Sequence, residues 1–443
     1  MSQISNRNRH RSRHASRDDQ HHAARDVNEQ QTTRKSPRRS PVSGWHEITL
    51  ANGAHSPVDR KARLPQFIGL QETNLVALDE LRLLLVGAGS VNGRVALHAT
   101  RLQLKEIAIC DSGKIKAESV LTHDCLPDDI ECKKATHYGR HGKLISPTTR
   151  VLVHDGPVQE LALSDFADSD LVMLATDNLA AELDVAQRCM WLSKPLIIGA
   201  VHGETLYARV QFWANRSGSG ACPVCGFGEE EMRHLNGHTI WKCSGPEART
   251  PGSEAIMPTM SVSFLCSMAA DLMMMQMLRW VLGLGQSLED SILEYCGYTH
   301  KMTTAPLRRR PDCPVEHIVY SRQTSSVPLG HRSLWELAIA AGFGSGEAPP
   351  DLSFVVDELV FVESAACCGQ VQPTRRFAAP GQQVARCPIC RSPIRAEAQS
   401  FYCHRPVSTA ILDSLVERPL AELGAEACRY VVVRSGGTGV FFA

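Results

Sequence analysis

The chain has 443 residues, enough for two or three domains with sizeable apolar cores, which excludes a small scaffold held together by disulfides. Lysine and arginine together (47) balance aspartate and glutamate (47), so the whole chain has no field of either sign that would collect nucleic acid or an anionic membrane. No apolar segment follows the basic N-terminal residues, so no secretory signal is predicted. We therefore expect the 16 cysteines in a reducing cytoplasm, where close pairs more often bind metal than form disulfides.

Composition divides the chain into three parts. Residues 1–57 carry few aliphatic side chains and many Arg, His, Ser and Gln residues, which predicts a disordered basic tail. Its basic run at 34–39 leaves a nucleic-acid-binding arm as an alternative to a solvated tail, although nucleic acid is not the partner we expect. We predict a nucleotide-binding domain over residues 58–324 and a small α+β domain over 325–443, because the composition shifts near residue 324.

Strands and helices alternate after the tail. Four apolar runs have the length of buried strands: Leu81–Val86, Glu106–Cys110, Leu171–Ala175 and Pro195–Gly199. Between the first two runs, apolar residues recur at helical spacing at positions 91, 95, 99 and 102. This alternation predicts an α/β fold with a Rossmann-like doubly wound sheet.

The first predicted strand leads directly into a glycine turn and an amphipathic helix, the context in which such turns bind nucleotide phosphates. Gly87 and Gly89 allow a tight turn and a close approach to phosphate, while the helix N-terminus supplies N–H donors. Asp111 ends the second strand, where a carboxylate can hydrogen-bond ribose hydroxyls. Asn92 replaces the third glycine of the pattern, so a purely structural turn remains an alternative.

Three further segments accompany the turn in a fixed order. Arg60-Lys61-Ala62-Arg63 precedes it, and Lys134-Ala135 and Thr176-Asp177-Asn178 follow it. Together with Asp111, this order resembles the ThiF/HesA/MoeB adenylyltransferases and ubiquitin-activating enzymes, which bind ATP and adenylate the C-terminal glycine of a ubiquitin-like protein. The resemblance covers about residues 60–317.

The resemblance implies ATP and Mg²⁺ as cofactors, and a ubiquitin-like or sulfur-carrier protein as substrate and partner. It implies that Asp111 binds ribose, that the Lys134 ammonium contacts the phosphates and that Asp177 binds Mg²⁺. It also implies that Arg63 reaches ATP in the neighbouring subunit of a homodimer, or of a heterodimer with a related subunit. Ordinary surface positions are the alternative for Lys134, Asp177 and Arg63.

Several positions depart from the family pattern. Gly113 stands where a second aspartate is usual, residues 119–122 replace an Asn-Leu-x-Arg segment and so put Thr122 in place of an arginine, and Glu182 replaces another arginine. The pyrophosphate leaves with developing negative charge, which cationic donors stabilise. Because these substitutions remove such donors, the transition state would be stabilised less. The alternative function is therefore a catalytically weakened nucleotide-binding scaffold that pairs with an active activating enzyme.

The first cysteine site begins with Cys222-Pro223-Val224-Cys225, which has the spacing of a metal knuckle. Cys313, Glu316 and His317 resemble the second half of the family's structural zinc site, with Glu316 in place of its last cysteine. Three thiolates plus an imidazole or a carboxylate satisfy tetrahedral Zn²⁺. We favour His317 as the fourth ligand, because nitrogen is the commoner partner of three thiolates.

The C-terminal part carries a second set of possible ligands. Cys387-Pro388-Ile389-Cys390 predicts one half of a zinc ribbon, and spacing leaves open which nearby groups complete it: Cys367, Cys368, Cys403 or His404. We take Cys367 and Cys403 as candidate ligands. Leu352–Val362 predicts a strand, and residues 430–433 and 440–442 are β-prone runs around a glycine-rich turn, which indicates a small module for binding a partner.

The remaining features lie between the cysteine sites. Cys243 lies in a polar stretch that corresponds to the crossover loop of activating enzymes, where a cysteine can accept the modifier as a thioester; a free thiol or a spare metal ligand is the alternative.

The apolar stretch that follows contains Asp271 and Arg279, which would be costly in a bilayer. We therefore expect no membrane span and predict a Met-rich core helix over Thr259–Leu282.

Overall fold

The computed structural model describes residues 44–49, 72–214, 220–229, 261–285, 288–344, 349–364, 374–378, 402–404 and 406–443, all of which belong to one compact unit. The predicted N-terminal tail lies outside the described residues except at 44–49. There the structure differs from the prediction, because His46–Glu47 forms a strand and Trp45 is buried beside it. The predicted division of the chain at residues 57 and 324 stays a prediction.

A large sheet organises the first part of the chain. In chain order its strands are β1 (His46–Glu47), β2 (Arg82–Val86), β3 (Glu106–Cys110), β4 (Arg150–His154), β5 (Leu171–Leu174), β6 (Leu196–His202), β7 (Tyr207–Trp213), β8 (Ser291–Cys296) and β9 (Lys301–Pro306). They lie in the order β1-β4-β3-β2-β5-β6-β7-β8-β9. The strands from β4 to β6 in this order are parallel, whereas β1 and β7 to β9 are antiparallel to their neighbours. The predicted α/β fold on a parallel-rich sheet is confirmed.

Helices cover both faces of this sheet. They are α1 (Glu72–Glu80), α2 (Asn92–Arg101), α3 (Lys134–Ile145), α4 (Leu163–Ala167), α5 (Leu179–Trp191) and α6 (Ser263–Leu282). Successive side chains of β2 point to opposite faces, so Leu83 and Leu85 share a core with α2 and α6, whereas Leu84 and Val86 share one with α5. Burial on both faces explains why the central strands are continuous apolar runs rather than alternating ones.

Helix α6 belongs to the core of this sheet. It is the one helix among the described residues that is long and apolar enough to cross a membrane, and half of its most apolar window is buried inside the protein. Met273 and Met277 are fully buried in the core that α6 shares with β2, whereas Met275 is 56% exposed. The predicted Met-rich helix is confirmed, but it begins at Ser263 rather than at Thr259; it ends at Leu282, and Gly283, with its positive φ, forms a left-handed cap.

Two smaller sheets form the C-terminal part. The larger contains β10 (Ser321–Gln323), β11 (Ser353–Val356), β15 (Val407–Ser408), β16 (Val431–Ser435) and β17 (Thr438–Phe442), in the order β10-β17-β16-β11-β15. The other contains β12 (Val360–Ser364), β13 (Thr374–Ala378) and β14 (Tyr402–His404), in the order β13-β12-β14. Helices α7 (Leu334–Ala340) and α8 (Thr409–Leu412) accompany them. The β-prone runs near the C-terminus are confirmed as β16 and β17.

The single strand predicted over Leu352–Val362 is wrong, because this run forms β11 and β12 of two different sheets. The chain turns between them at Asp357, which has a φ of +45°. The Asp357 carboxylate accepts hydrogen bonds from the backbone N–H of Arg429 (3.0 Å) and from its guanidinium (3.1 Å). This long-range ion pair holds the turn, and local apolar composition does not reveal it.

The start of α2 packs closely against α3. A Cβ on Gly93 would lie 2.2 Å from Cζ of Tyr138, whose side chain is fully buried on α3. We expect Gly93→Ala to lower the free energy of unfolding by about 1–2 kcal/mol, since overpacking outweighs the helix propensity that alanine gains. Urea denaturation would measure the change. Gly89→Ala is the matched control, because nothing lies within 4 Å of its Cβ; equal losses in both variants would contradict this account.

Candidate functional site

The order of the strands defines a crevice. Strands β3 and β4 lie on one side of β2, and β5 and β6 lie on the other. Sheets of this kind bind ligands at the carboxyl ends of the strands where the order reverses, here between β2 and β5. The glycine turn follows β2 and the segment Thr176-Asp177-Asn178 follows β5, so the fold brings both predicted segments to this crevice.

Gly87 and Gly89 have different roles in the turn. Gly87 has a φ of +83°, and a Cβ there would lie 2.3 Å from the carbonyl oxygen of Ala175, so only glycine fits. Its N–H donates to the carbonyl of Cys110 (2.8 Å), which ties the turn to the end of β3. Gly89 faces open space and leaves the backbone accessible to a ligand.

Asp111 connects the turn to the next loop. Its Oδ2 accepts a hydrogen bond from the N–H of Ala88, and its Oδ1 accepts one from the N–H of Gly113, both at 2.6 Å. A Cβ on Gly113 would lie 3.0 Å from Asp111 Oδ1 and 3.6 Å from Lys134 Cδ, so the Lys134 side chain passes close to this carboxylate. The structure thus brings the predicted ribose-binding and phosphate-binding residues together.

Asn92, which interrupts the glycine pattern, is 1% exposed and links the two strands that border the crevice. Its Nδ2 donates to the carbonyls of Val86 (2.9 Å) and Met173 (3.2 Å), at the ends of β2 and β5. The close helix packing that a third glycine would allow occurs one residue later, at Gly93. Asn92 therefore holds together the two strands at which the crevice opens.

Two adjacent residues after β5 have different roles: one caps a helix, and the other presents an exposed carboxylate. Asn178 is the N-cap of α5, since its Oδ1 accepts hydrogen bonds from the N–H groups of Ala180 (3.0 Å) and Ala181 (3.3 Å). Asp177 is exposed at the same edge of the sheet. Glu182 lies in the first turn of α5, where a carboxylate is favourable to the helix dipole.

Sequence reasoning missed Arg94, which is buried beside the glycine turn. Its guanidinium donates to the carbonyls of Ser90 and Thr122 and to Ser263 Oγ (2.8 Å), and it lies 3.3 Å from an Asp124 carboxylate oxygen. Arg94 therefore ties the turn to the segment that replaces the family's arginine-containing one and to the start of α6. The sequence offered one signal for its burial: Arg94 directly precedes Val95, which lies on the apolar face of α2.

His123 was also missed. Burial, assisted by the charge of Lys134, lowers its pKa to about 4, so the imidazole is neutral near pH 7. Its Nδ1 lies 3.0 Å from Thr122 Oγ1. The residue that directly follows segment 119–122 thus places an uncharged ring near Lys134.

The first cysteine site assembles from two distant parts of the chain. The Sγ atom of Cys222 lies 3.8 Å from that of Cys225 and 3.6 Å from that of Cys313, and His317 Nε2 lies 3.5 Å from Cys225 Sγ. Because the Gly220 carbonyl accepts from Nδ1 of His317 (3.0 Å), Nε2 is left as the ligand atom. Hydrogen bonds from the neighbouring thiols hold the pKa of Cys225 well below its usual range. This donor set suits tetrahedral Zn²⁺.

Glu316, the alternative fourth ligand, points elsewhere. Its carboxylate pairs with the Arg434 guanidinium of β16 (3.2 Å) and accepts a hydrogen bond from Trp191 Nε1 (3.3 Å). The cluster of potential ligand atoms contains His317 and not Glu316. The carboxylate instead links this region to the second sheet.

Arg63, Cys243, Cys367, Cys387 and Cys390 lie outside the described residues, and Cys403 lies in β14 with its side chain outside them. Their proposed roles stay predictions.

Comparisons with known proteins cover the first part of the chain. A sequence profile of the ThiF family matches residues 58–315. The chain is 22% identical over 239 residues to the SAMP-activating enzyme E1 of Haloferax volcanii, covering 53% of this chain and 79% of that protein. It is 22% identical over 243 residues to the sulfur carrier protein adenylyltransferase of Thermus thermophilus, covering 54% and 83%. A crystal structure of E. coli MccB with ATP aligns with a TM-score of 0.42 and 14% identity, covering 55% of this chain and 68% of that one.

The geometry of the thiolate cluster predicts which residue holds a metal ion. We expect His317→Gln to lower the bound zinc by about one ion per chain and to reduce stability, because a structural site contributes folding free energy. Glu316→Gln is the matched neighbour and should retain the zinc. Elemental analysis of the purified proteins measures both, with Cys225→Ser as a second ligand variant. Loss of zinc from Glu316→Gln but not from His317→Gln would reverse the assignment.

Proposed function

This chain belongs to the ThiF family, and we propose that it uses ATP to adenylate the C-terminus of a ubiquitin-like or sulfur-carrier protein. One observation carries the proposal: the glycine turn, Asp111 and Lys134 lie together in the crevice between β2 and β5, with Asp177 at the same edge of the sheet. A phosphate-binding turn beside a carboxylate and an ammonium suits a nucleotide triphosphate. The adenylyltransferase and the activating enzyme that the chain resembles support the same chemistry.

The proposed reaction is a displacement at the α-phosphate of ATP. An oxygen of the modifier's C-terminal carboxylate forms a bond to the α-phosphorus, the bond to the bridging oxygen breaks, and pyrophosphate leaves. The products are an acyl adenylate and pyrophosphate. Because negative charge develops on the leaving group, a fixed cation near it lowers the barrier.

Each residue of the crevice has a role in this proposal. The backbone around Gly87 and Gly89 binds phosphate, Asp111 binds the ribose, and Lys134 neutralises charge on the phosphates. Asp177 would hold Mg²⁺, which supplies charge neutralisation for the triphosphate when bound. Exposure of the carboxylate at the open edge of the sheet is compatible with that role.

Other parts of the proposal concern assembly and transfer. In a homodimer, or a heterodimer with a related subunit, Arg63 of the partner subunit would add a second cation to the site. Cys243 would accept the activated modifier as a thioester, with loss of AMP. The protein would act in the cytoplasm, where a reducing environment keeps metal-binding cysteines out of disulfides.

Two zinc sites complete the proposal. The cluster of Cys222, Cys225, Cys313 and His317 holds a structural zinc, and its four donors leave no open position for a substrate. The second is a zinc ribbon in the C-terminal part, with Cys387 and Cys390 as one pair of ligands and Cys367 and Cys403 as candidates for the other. A ribbon of this kind would help fold the module that contacts the partner protein.

The Lys134 ammonium offers the sharpest test of the enzyme. We expect Lys134→Ala to reduce modifier-dependent ATP–pyrophosphate exchange by about 100- to 1000-fold, the usual effect of losing a charged transition-state donor. Lys133→Ala is the matched control, because it removes the neighbouring ammonium. The Lys133 ammonium donates a hydrogen bond to the Ser112 carbonyl (3.0 Å), in the loop before α3. It should retain most of the exchange.

Two outcomes would contradict this assignment. Equal exchange by wild type and Lys134→Ala would remove the catalytic role of Lys134. Tight ATP binding without exchange, with every ubiquitin-like protein tested and with a related subunit supplied, would replace the enzyme by a nucleotide-binding scaffold.

Cys243 is tested separately from adenylation. We expect Cys243→Ser to preserve pyrophosphate exchange and to abolish a reductant-sensitive conjugate with the modifier, since only the second step needs the thiol. Non-reducing gel electrophoresis detects the conjugate. An unchanged conjugate would make Cys243 an ordinary loop cysteine.

A further inference from the structure

A second cluster of potential ligands lies on helix α3 and on the short helix that precedes it, apart from the thiolate site. The short helix Pro127–Asp129 holds the Asp129 carboxylate against α3, where Oδ1 lies 3.3 Å from Nδ1 of His137. His141 is one turn further along α3, and its ring centroid lies 4.2 Å from that of His137. One ligand atom from each of the three residues lies within 4.8 Å of the other two.

Hydrogen bonding determines which atom of His137 is available. Its Nε2 lies 3.1 Å from the carbonyl oxygen of Asp124, and because a carbonyl only accepts, Nε2 carries the hydrogen. In the neutral ring, Nδ1 then has a lone pair that faces the Asp129 carboxylate, which also only accepts. Two acceptors at this distance need a cation between them, either a proton on the imidazole or a metal ion. A backbone carbonyl that fixes the second nitrogen is the usual outer-shell partner of a metal-bound histidine.

The geometry fits a metal ion. Two ligands that bind a tetrahedral ion at about 2.0–2.1 Å are about 3.4 Å apart, close to the separation of His137 Nδ1 and Asp129 Oδ1. Histidines four residues apart share one face of a helix, so His141 can reach the same ion. The His137 side chain is 3% exposed, which shields the metal-facing atom from bulk water.

We propose that Asp129, His137 and His141 bind a divalent transition-metal ion of the zinc type. Two imidazoles and a carboxylate suit such ions, and three protein ligands leave a coordination position for water. The ion would fasten the segment that follows Asp111 to the helix that begins at Lys134. This inference does not depend on adenylation, since it concerns metal binding alone.

Cobalt binding to the full-length, zinc-loaded protein tests the site. We expect equilibrium dialysis against Co²⁺ to give one bound cobalt per wild-type chain with unchanged zinc content, together with visible d–d absorption bands. His141→Gln and Asp129→Asn should each weaken cobalt binding at least about tenfold. His98→Gln is the matched control: His98 Nε2 also lies 3.3 Å from a carboxylate oxygen, that of Asp271, but belongs to no three-residue cluster of ligands within the part of the chain that the structure describes.

Thermal unfolding provides the second measurement. Added Co²⁺ should raise the Tm of wild type and His98→Gln, and should leave that of His141→Gln and Asp129→Asn unchanged, because a ligand stabilises only the protein that binds it. If His141→Gln fails to fold by circular dichroism, Asp129→Asn decides the result, since it preserves side-chain size. Equal cobalt uptake by all four proteins would overturn the proposal. Absence of cobalt uptake by wild type would also overturn it, and the cluster would then be an ordinary ion pair between an imidazolium and a carboxylate.

Discussion

The hydrogen bonds of the Asp111 carboxylate are the interaction on which the crevice depends. One oxygen holds the backbone of the glycine turn and the other holds the loop that leads to Lys134. Charged hydrogen bonds of this kind are stronger than neutral ones and impose a defined geometry on the backbone. A single side chain at the end of β3 thereby sets the distance between the two loops that face a nucleotide.

The positions that depart from the family pattern have structural roles of their own. Asn92 joins the ends of β2 and β5. The carbonyl of Thr122 accepts a hydrogen bond from Arg94, which also donates to Ser90 of the turn and to Ser263 of α6. Gly113 leaves room for the Asp111 carboxylate, because a Cβ there would lie 3.0 Å from Asp111 Oδ1. These contacts connect the glycine turn to the strands, the loop and the helix that surround it.

The thiolate cluster links parts of the chain that are far apart in sequence. Cys222 and Cys225 follow β7, whereas Cys313 and His317 precede the second sheet, and Glu316 beside them pairs with Arg434 of that sheet. Tyr430 and Phe441 of the C-terminal part also pack in the core that holds Leu84 and Val86 of β2. A metal site at this junction would restrain both sheets at once, which suits a structural role.

Local sequence was sufficient for the parallel strands, the glycine turn, the Met-rich helix and the Cys-Pro-Val-Cys knuckle, because each depends on residues within one strand, turn or helix. Tertiary structure decided which groups meet across long separations: His317 rather than Glu316 joins the thiolates, Asp129 meets His137, and Arg429 holds the turn that divides β11 from β12. The physical reason is that spacing along the chain determines contacts only within an element. Contacts between elements depend on how the elements pack, and no local pattern contains that information.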